Sequence, residues 1–232
     1  MSVFTSFGIV IIAMLIFGTL QLTSGVFALF YHYALGKFSK AKASDLALFF
    51  FFGTEIISAC LFLATYFLMS IFLFDNSELQ QLAWGFAGLF ISLALFSLLF
   101  YYRRGKGSRL FIPKSYSEAI NHSARTVQNR SGAFLLGLLS GSSELILTLP
   151  LYLITSIEIL KIESLGLPAN LIAIILVIMP TIPLFFTYLQ YRCDYNLADI
   201  MKKRSKIKPL IRIALCLFYS GIAFLIIQSG TL

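Results

Sequence analysis

Two glutamates stand deep inside long apolar stretches of the sequence, Glu55 in the second stretch and Glu144 in the fourth. A carboxylate at bilayer depth costs about 2.5 kcal/mol or more, so each of them needs a structural or chemical reason. An apolar surround favours the neutral carboxyl, which suits a group that picks up and releases a proton. The charged form would instead coordinate a cation with hydroxyls and free carbonyls. The alternative is a protonated glutamate that only joins two helices through a hydrogen bond.

Each glutamate has polar neighbours at helical spacing. Ser140, Ser143 and Glu144 are three and four residues apart, so a helix places them on one face. Around the other glutamate, Thr54 and Ser58 are arranged in the same way. We therefore expect a polar site around each glutamate, and the sequence leaves open whether a metal ion binds there.

Glycine and proline placement predicts a broken or kinked helix around Glu144. Pro150 lacks an amide donor and so frees the carbonyl of Ile146. Free carbonyls at membrane depth are tolerated where another helix, water or an ion meets them. Gly137 and Gly141 form a small-xxx-small pair. Such a pair usually serves close helix packing, and a substrate role is the alternative.

The remaining reactive residues form no recognisable site. Glu158 lies three residues before Lys161, and we expect an interfacial carboxylate with that local partner. His32 stands in a Tyr-His-Tyr cluster typical of an aromatic belt, with a proton relay as the alternative. The three cysteines form no CxxC pair, and neither a nucleotide-binding glycine loop nor a His-Glu-x-x-His motif is present. No cofactor is therefore expected.

Six long apolar stretches hold these residues and decide the fold class. Of the 232 residues, 59% are hydrophobic and 12% are charged, whereas a soluble domain is about half apolar and a quarter charged. A membrane span needs about 20 mostly apolar residues, and lipid forces such spans to be helical. The sequence predicts an all-α integral membrane protein with about six transmembrane helices, over residues 8–35, 46–74, 82–102, 133–160, 171–190 and 210–229.

The basic residues predict the orientation of these spans. All but one of the 18 Lys and Arg follow the first, third and fifth stretches, and short basic loops stay in the cytoplasm. Both termini are therefore predicted outside, in a bacterial cytoplasmic membrane. The net charge of +8 reflects this topology and an attraction to anionic lipid head groups. Nucleic-acid binding is not expected, because the basic loops lack the interleaved aromatics of a stacking surface.

The longest hydrophilic stretch divides the chain into two halves. It is a basic loop, predicted cytoplasmic, at residues 103–131, between a first half at 1–102 and a second half at 132–232. Part of the loop, residues 115–130, is compatible with a short surface helix but not with a fold of its own.

The two halves share short sequence echoes. Residues 22–25 (LTSG) are similar to residues 138–141 (LLSG). Two halves of three spans each must have opposite orientations, as in the inverted repeats of many secondary transporters. We predict two inverted three-helix repeats, with chance similarity in a low-diversity apolar sequence as the alternative.

With its six stretches, its serine-glycine breaks and its basic central loop, the chain resembles the lysine-exporter (LysE) superfamily in architecture. The resemblance implies two inverted three-helix halves and the export of amino acids, metal ions or other small solutes. Amino-acid exporters of that superfamily carry Pro-Gly-Pro in the first span, where this chain has Thr23, Ser24 and Gly25. Amino-acid substrates are therefore disfavoured. The cysteines of the thiol–disulfide branch and the Glu-x-Gly-Asp motifs of the manganese/calcium branch are missing as well.

Three functions are compatible with these observations. The first is a secondary transporter or exporter of a small solute or cation, coupled through buried carboxylates, with the solute and the bilayer as partners. The second is a membrane-embedded enzyme or lipid-handling protein, although a clustered His/Asp set near one interface is missing. The third is a partner subunit of a membrane complex, which would expose its glutamates to lipid. A homo-oligomer is compatible with each of them.

The mid-span acids and the repeat favour the transporter. Its predicted binding residues lie at the two serine-glycine breaks and at the two glutamates, and they are Ser24, Gly25, Glu55, Ser140, Gly141, Ser143 and Glu144.

Overall fold

The described chain is helical throughout. The computed structural model describes residues 3–22, 25–74, 79–99, 114–143, 145–163 and 197–229, and these contain eight helices and no strand. The predicted all-α class is thus confirmed for these residues, while the fifth predicted span lies outside them. The helices, in chain order, are α1 (Val3–Leu22), α2 (Gly25–Lys37), α3 (Lys40–Phe74), α4 (Leu79–Leu99), α5 (Lys114–Thr126), α6 (Arg130–Ser143), α7 (Leu145–Glu163) and α8 (Leu197–Ser229).

Two helices are long and apolar enough to cross a bilayer. They are Lys40–Ile71 within α3 and Pro209–Gln228 within α8, which match the second and sixth predicted spans. The bent pair formed by α6 and α7 is a third candidate if it is one broken span. Shorter apolar segments, Phe4–Gly18 and Trp84–Leu99, lie in α1 and α4. The described part of the chain therefore provides two candidate membrane spans, or three with the bent pair.

The larger of two apolar cores, called the large core, joins α1, α4, α7, α8 and the second half of α3. Aromatic rings tie its helices together. The ring of Tyr152 on α7 lies 5.3 Å from that of Phe17 on α1 and 6.2 Å from that of Phe62 on α3. Ring pairs at such distances add to the stability gained from packing. Tyr152 therefore fixes α7 between α1 and α3.

The second core, called the small core, joins α2, α5, α6 and the first half of α3. Its centre is the stacked pair Phe30 and Phe50, whose ring centroids are 5.4 Å apart. The helix α5 covers this pair with the buried side chains of Ile120 and Ala124. The two residues are four apart and so share one helix face, which is why α5 lies on the core with its polar side outward.

The chain passes between the two cores four times, and the passage from α4 to α5 runs through residues 100–113, outside the described residues. The other three passages involve α3 and two pairs of neighbouring helices. The 35-residue helix α3, about 50 Å long at 1.5 Å per residue, belongs to both. The helices α1 and α7 lie in the large core, whereas their neighbours in sequence, α2 and α6, lie in the small core. Each of these three passages is a stretch between the last residue in one core and the first residue in the other. We call these stretches the crossing segments, and they are residues 21–29, 51–60 and 137–150.

Candidate functional site

The crossing segments contain every residue that the sequence predicts to bind a solute. The first holds Ser24 and Gly25, the second holds Glu55, and the third holds the residues predicted in the fourth span, Ser140, Gly141, Ser143 and Glu144. Gly25 is the first residue of α2, whereas Ser24 and Glu144 lie outside the described residues. The predicted site residues are therefore spread over three of the four passages between the cores.

The fourth predicted span is two helices. The helix α6 ends at Ser143 and α7 begins at Leu145, and their axes are bent by 78°. The predicted break in this span is therefore confirmed. It does not fall at Pro150, which lies inside α7. The terminal carbonyls of α6 and the first amides of α7 lack helical partners, so other polar groups have to meet them.

In the first predicted span, α1 ends at Leu22 and α2 begins at Gly25, and residues 23 and 24 between them lie outside the described residues. The helices α2 and α6, which lie in the small core, have 13 and 14 residues. The helices α1 and α7, which lie in the large core, have 20 and 19 residues. Each of these two predicted spans thus has a short helix in the small core and a long helix in the large core.

The helices α3 and α6 cross in close backbone contact at their glycines. A Cβ atom on Gly137 would overlap the carbonyl oxygen of Phe50, and one on Gly53 would overlap a carbonyl oxygen of α6. A Cβ atom on Gly141 would clash with the side chain of Ile57. The small-xxx-small pair of α6 therefore packs against α3, as such pairs do when two backbones approach closely.

Hydroxyl groups at this crossing bond to backbone carbonyls. The Thr54 hydroxyl is buried, 3.1 Å from the carbonyl oxygen of Phe50 and 3.3 Å from that of Gly137, and it can donate to either. The Ser143 hydroxyl donates to the carbonyl of Ser140 over 2.6 Å. These groups are therefore satisfied within the protein, and Ser143 has turned its hydroxyl back onto its own helix.

Glu55 does not share this arrangement. It follows Thr54 by one residue, which turns it about 100° around the helix, and the residues of α3 next to Gly141 are Thr54 and Ile57. Glu55 is half-buried, and its Oε1 atom is buried without a hydrogen-bond partner in the described part of the chain. Its neighbours Phe52 and Ile56 are 47% and 48% exposed. Glu55 thus lies where the protein interior meets the outer apolar surface.

A helix of the basic loop reaches the break between α6 and α7. The Tyr116 hydroxyl of α5 donates to the carbonyl of Leu139 over 2.9 Å and lies 2.6 Å from the Ser142 hydroxyl oxygen. Both partners lie within the last five residues of α6. Tyr116 was not among the predicted site residues. The helical spacing of Tyr116, Ile120 and Val127 is the signal that could have shown that this segment packs on the core.

Charged groups hold the other end of α5 and the start of α6. The Lys37 ammonium donates to the carbonyl of Arg125, a favourable place for a cation because it is a helix C-terminus. The Arg125 guanidinium lies 5.2 Å from the centre of the Tyr33 ring. The guanidinium of Arg130 donates twice to the Asp45 carboxylate, over 2.7 and 3.2 Å. Part of the predicted basic loop is thus a docked element of the small core.

Glu158 has its predicted partner but not the predicted surroundings. Its Oε1 atom lies 2.7 Å from the Lys161 ammonium, so the local ion pair is confirmed. Glu158 is only 6% exposed, because α7 packs between α1 and α3. It is more buried than Glu55, which its position near the end of an apolar stretch did not predict.

The described residues contain no group of three His, Cys, Asp or Glu side chains that could hold a metal ion. No protein-family model matches the chain, and neither a curated protein nor a solved structure shows a significant match to it.

Proposed function

We propose that this protein is a multi-pass membrane transporter of LysE-like architecture that moves a small solute or cation across a bacterial cytoplasmic membrane. In this proposal six spans cross the bilayer: α1 with α2, α3, α4, α6 with α7, the fifth apolar stretch and α8. Both termini lie outside, and α5 lies at the cytoplasmic face. The solute binds among the three crossing segments.

The observation that carries the proposal is the coincidence of the crossing segments with the polar residues. The segment at residues 137–150 contains the bend between α6 and α7, and all seven predicted binding residues fall within the three segments by their positions in the sequence. Transporters bind their solutes near the bilayer midplane, where broken helices offer free amides and carbonyls and where two bodies move against each other. Two cores joined through a bent helix pair and through segments that carry polar residues would suit such a movement.

The lengths of the helices in the first and fourth predicted spans support a shared site. With the predicted orientation, the chain enters the membrane from the outside through α1 and α2, and it returns to the outside through α6 and α7. The short helices α2 and α6, with 13 and 14 residues, then place both junctions, α1 to α2 and α6 to α7, about 20 Å from the cytoplasmic ends of these spans. Superimposable inverted repeats would instead match α1 with α6, whose lengths are 20 and 14 residues. The proposal therefore depends on the common depth of these junctions rather than on the repeat.

The test is solute flux in liposomes that contain the purified protein. Protons, sodium, divalent metals and amino acids are screened with the wild type, and Glu144→Gln and Glu55→Gln are then compared. Glu118→Gln is the matched control, because Glu118 is an exposed glutamate of α5. We expect flux with the wild type and the control, and its loss with Glu144→Gln.

A partner subunit is the second candidate, and the position of Glu55 favours it. A half-buried carboxylate beside exposed Phe52 and Ile56 is where a helix of another chain would supply a hydrogen-bond donor. Folded protein that moves none of the solutes would contradict the transport proposal and favour this one. Flux that persists in Glu144→Gln would remove that residue from the pathway.

A further inference from the structure

Two hydroxyls of α7 differ from three buried hydroxyls of α3 and α4. Thr54 and Thr65 donate to the carbonyl four residues earlier, over 3.1 and 3.0 Å, and Ser97 donates to the carbonyl three residues earlier, over 2.9 Å. Thr155 and Ser156 are fully buried, but their hydroxyl oxygens have no hydrogen-bond partner in the described structure. A helix offers any threonine or serine such a carbonyl. The Thr155 and Ser156 hydroxyls are therefore oriented away from the nearest acceptor.

A carboxylate oxygen that is also buried and without a hydrogen-bond partner in the described part of the chain lies one turn further along α7. The Oε2 atom of Glu158 is buried and has no partner among the described residues, while Oε1 bonds to Lys161 over 2.7 Å. Thr155 and Glu158 are three residues apart, so their side chains leave the helix on the same side. Buried polar atoms without partners are rare in proteins and often mark a bound water or ion.

Among the described helices, α1 and the second half of α3 pack on this part of α7 and provide no charge. The helix α1 has no charged residue, and α3 has none after Glu55. Neither α1 nor this part of α3 therefore provides a counter-ion for Glu158, whereas Lys161 does. The lysine side chain is 29% exposed. A lysine with a long stem and partial exposure can move its ammonium to the surface without unfolding the helix.

We propose that Thr155 and Glu158 form a binding site for a monovalent metal cation, in which the bound ion takes the place of the Lys161 ammonium. Hard cations prefer oxygen ligands, and the site offers a carboxylate and a hydroxyl oxygen. The charge of the ion follows from the exchange: replacing the ammonium by an ion of charge +1 leaves the buried site neutral, whereas a divalent ion would leave it charged. The site does not rest on the proposed transport function.

The test is thermal unfolding of the detergent-purified full chain. Sodium, lithium or potassium chloride replaces choline chloride at constant ionic strength, because a ligand that binds the native state raises its melting temperature by mass action. We expect a saturable rise with at least one metal cation and its loss in Glu158→Gln. Thr155→Val keeps the side-chain shape without the hydroxyl and should weaken the apparent affinity about tenfold.

Ser156→Ala is the matched control. Ser156 is as buried as Thr155 and equally without a partner, but it is turned about 160° from Glu158 around the helix, so its removal should leave the affinity unchanged. Lys161→Gln, measured in alkaline buffer to limit competition by protons, should raise the affinity about fivefold, because no ammonium has to be displaced.

Three outcomes would overturn the site. The melting temperature of the wild type could show no rise with any metal cation, or Thr155→Val and Ser156→Ala could change the apparent cation affinity equally. In a third measurement, lowering the pH in choline chloride could raise the melting temperature while metal cations have no effect. Thr155→Val keeps the test decisive if Glu158→Gln does not fold. A cation effect in detergent without any flux in liposomes would support this site and contradict the transport proposal. Flux in liposomes without a cation effect in detergent would support the transport proposal and contradict this site.

Discussion

The two cores are held together by different means. In the large core, aromatic side chains fill the space between helices, as Tyr152 does between Phe17 and Phe62. In the small core, the ion pair of Arg130 with Asp45 and several hydrogen bonds surround a modest apolar centre, and glycines at its edge bring the backbones of α3 and α6 into contact. Where helices cross a bilayer, packing rather than transfer from water holds them together, because lipid tails are as apolar as the side chains. The large core therefore depends on side-chain volume, and the edge of the small core depends on its absence at the glycines.

Removing volume from the large core should have the largest effect. Phe17→Ala deletes a ring that is 1% exposed, and we expect the free energy of unfolding to fall by about 3 kcal/mol. Denaturation of the purified protein in detergent measures this change. Phe4→Ala in the same helix is the control, because Phe4 is 88% exposed. Equal losses in both variants would mean that the ring's packing is not what stabilises α1.

Adding volume to the small core should have the next largest effect. The methyl group of Gly137→Ala would overlap the backbone of α3 at Phe50, and overpacking of this kind costs about 1–3 kcal/mol. Gly88→Ala is the control, since nothing lies within 4 Å of a Cβ atom there, and alanine should stabilise that helix by up to about 1 kcal/mol. If Gly137→Ala were as stable as Gly88→Ala, the close crossing of α3 and α6 would be wrong.

The difference between the cores also explains what the sequence could predict. Long apolar stretches identified α3 and α8 well, because length and composition alone decide a candidate membrane helix. They did not show where a stretch is interrupted. A window of about 20 residues averages the polar residues 140–144 with the apolar runs on either side, so hydropathy does not locate the bend of 78°. Glycine and proline placement predicted a break, but Pro150 lies inside α7 and did not locate it.

Two features of the predicted site depend on rotation around a helix and on distant contacts. Thr54 and Glu55 are neighbours in sequence, but only Thr54 contacts the Gly141 face of α6. Glu158 lies close to the end of its stretch, yet the packing of α1 and α3 on α7 buries it. Neither fact follows from spacing along the chain, because both depend on which helices become neighbours.

The smallest of these effects should come from the hydroxyl of Tyr116. Tyr116→Phe keeps the ring on the small core but removes the donor to the Leu139 carbonyl, and a single hydrogen bond of this kind contributes about 1 kcal/mol. We expect faster amide hydrogen exchange in α5 and at the end of α6, with little change in α1 and α7. Tyr33→Phe is the control, because it keeps the ring that Arg125 contacts.

The pattern of exchange, more than its size, tests the difference between the cores. The hydroxyl of Tyr116 joins α5 to the end of α6, one residue before the break. If the small core is a separate body held by such bonds, its loosening should stop at the break and leave the large core protected. Exchange that rose equally in α7 would show that the two cores open as one unit, and the crossing segments would then not separate two bodies.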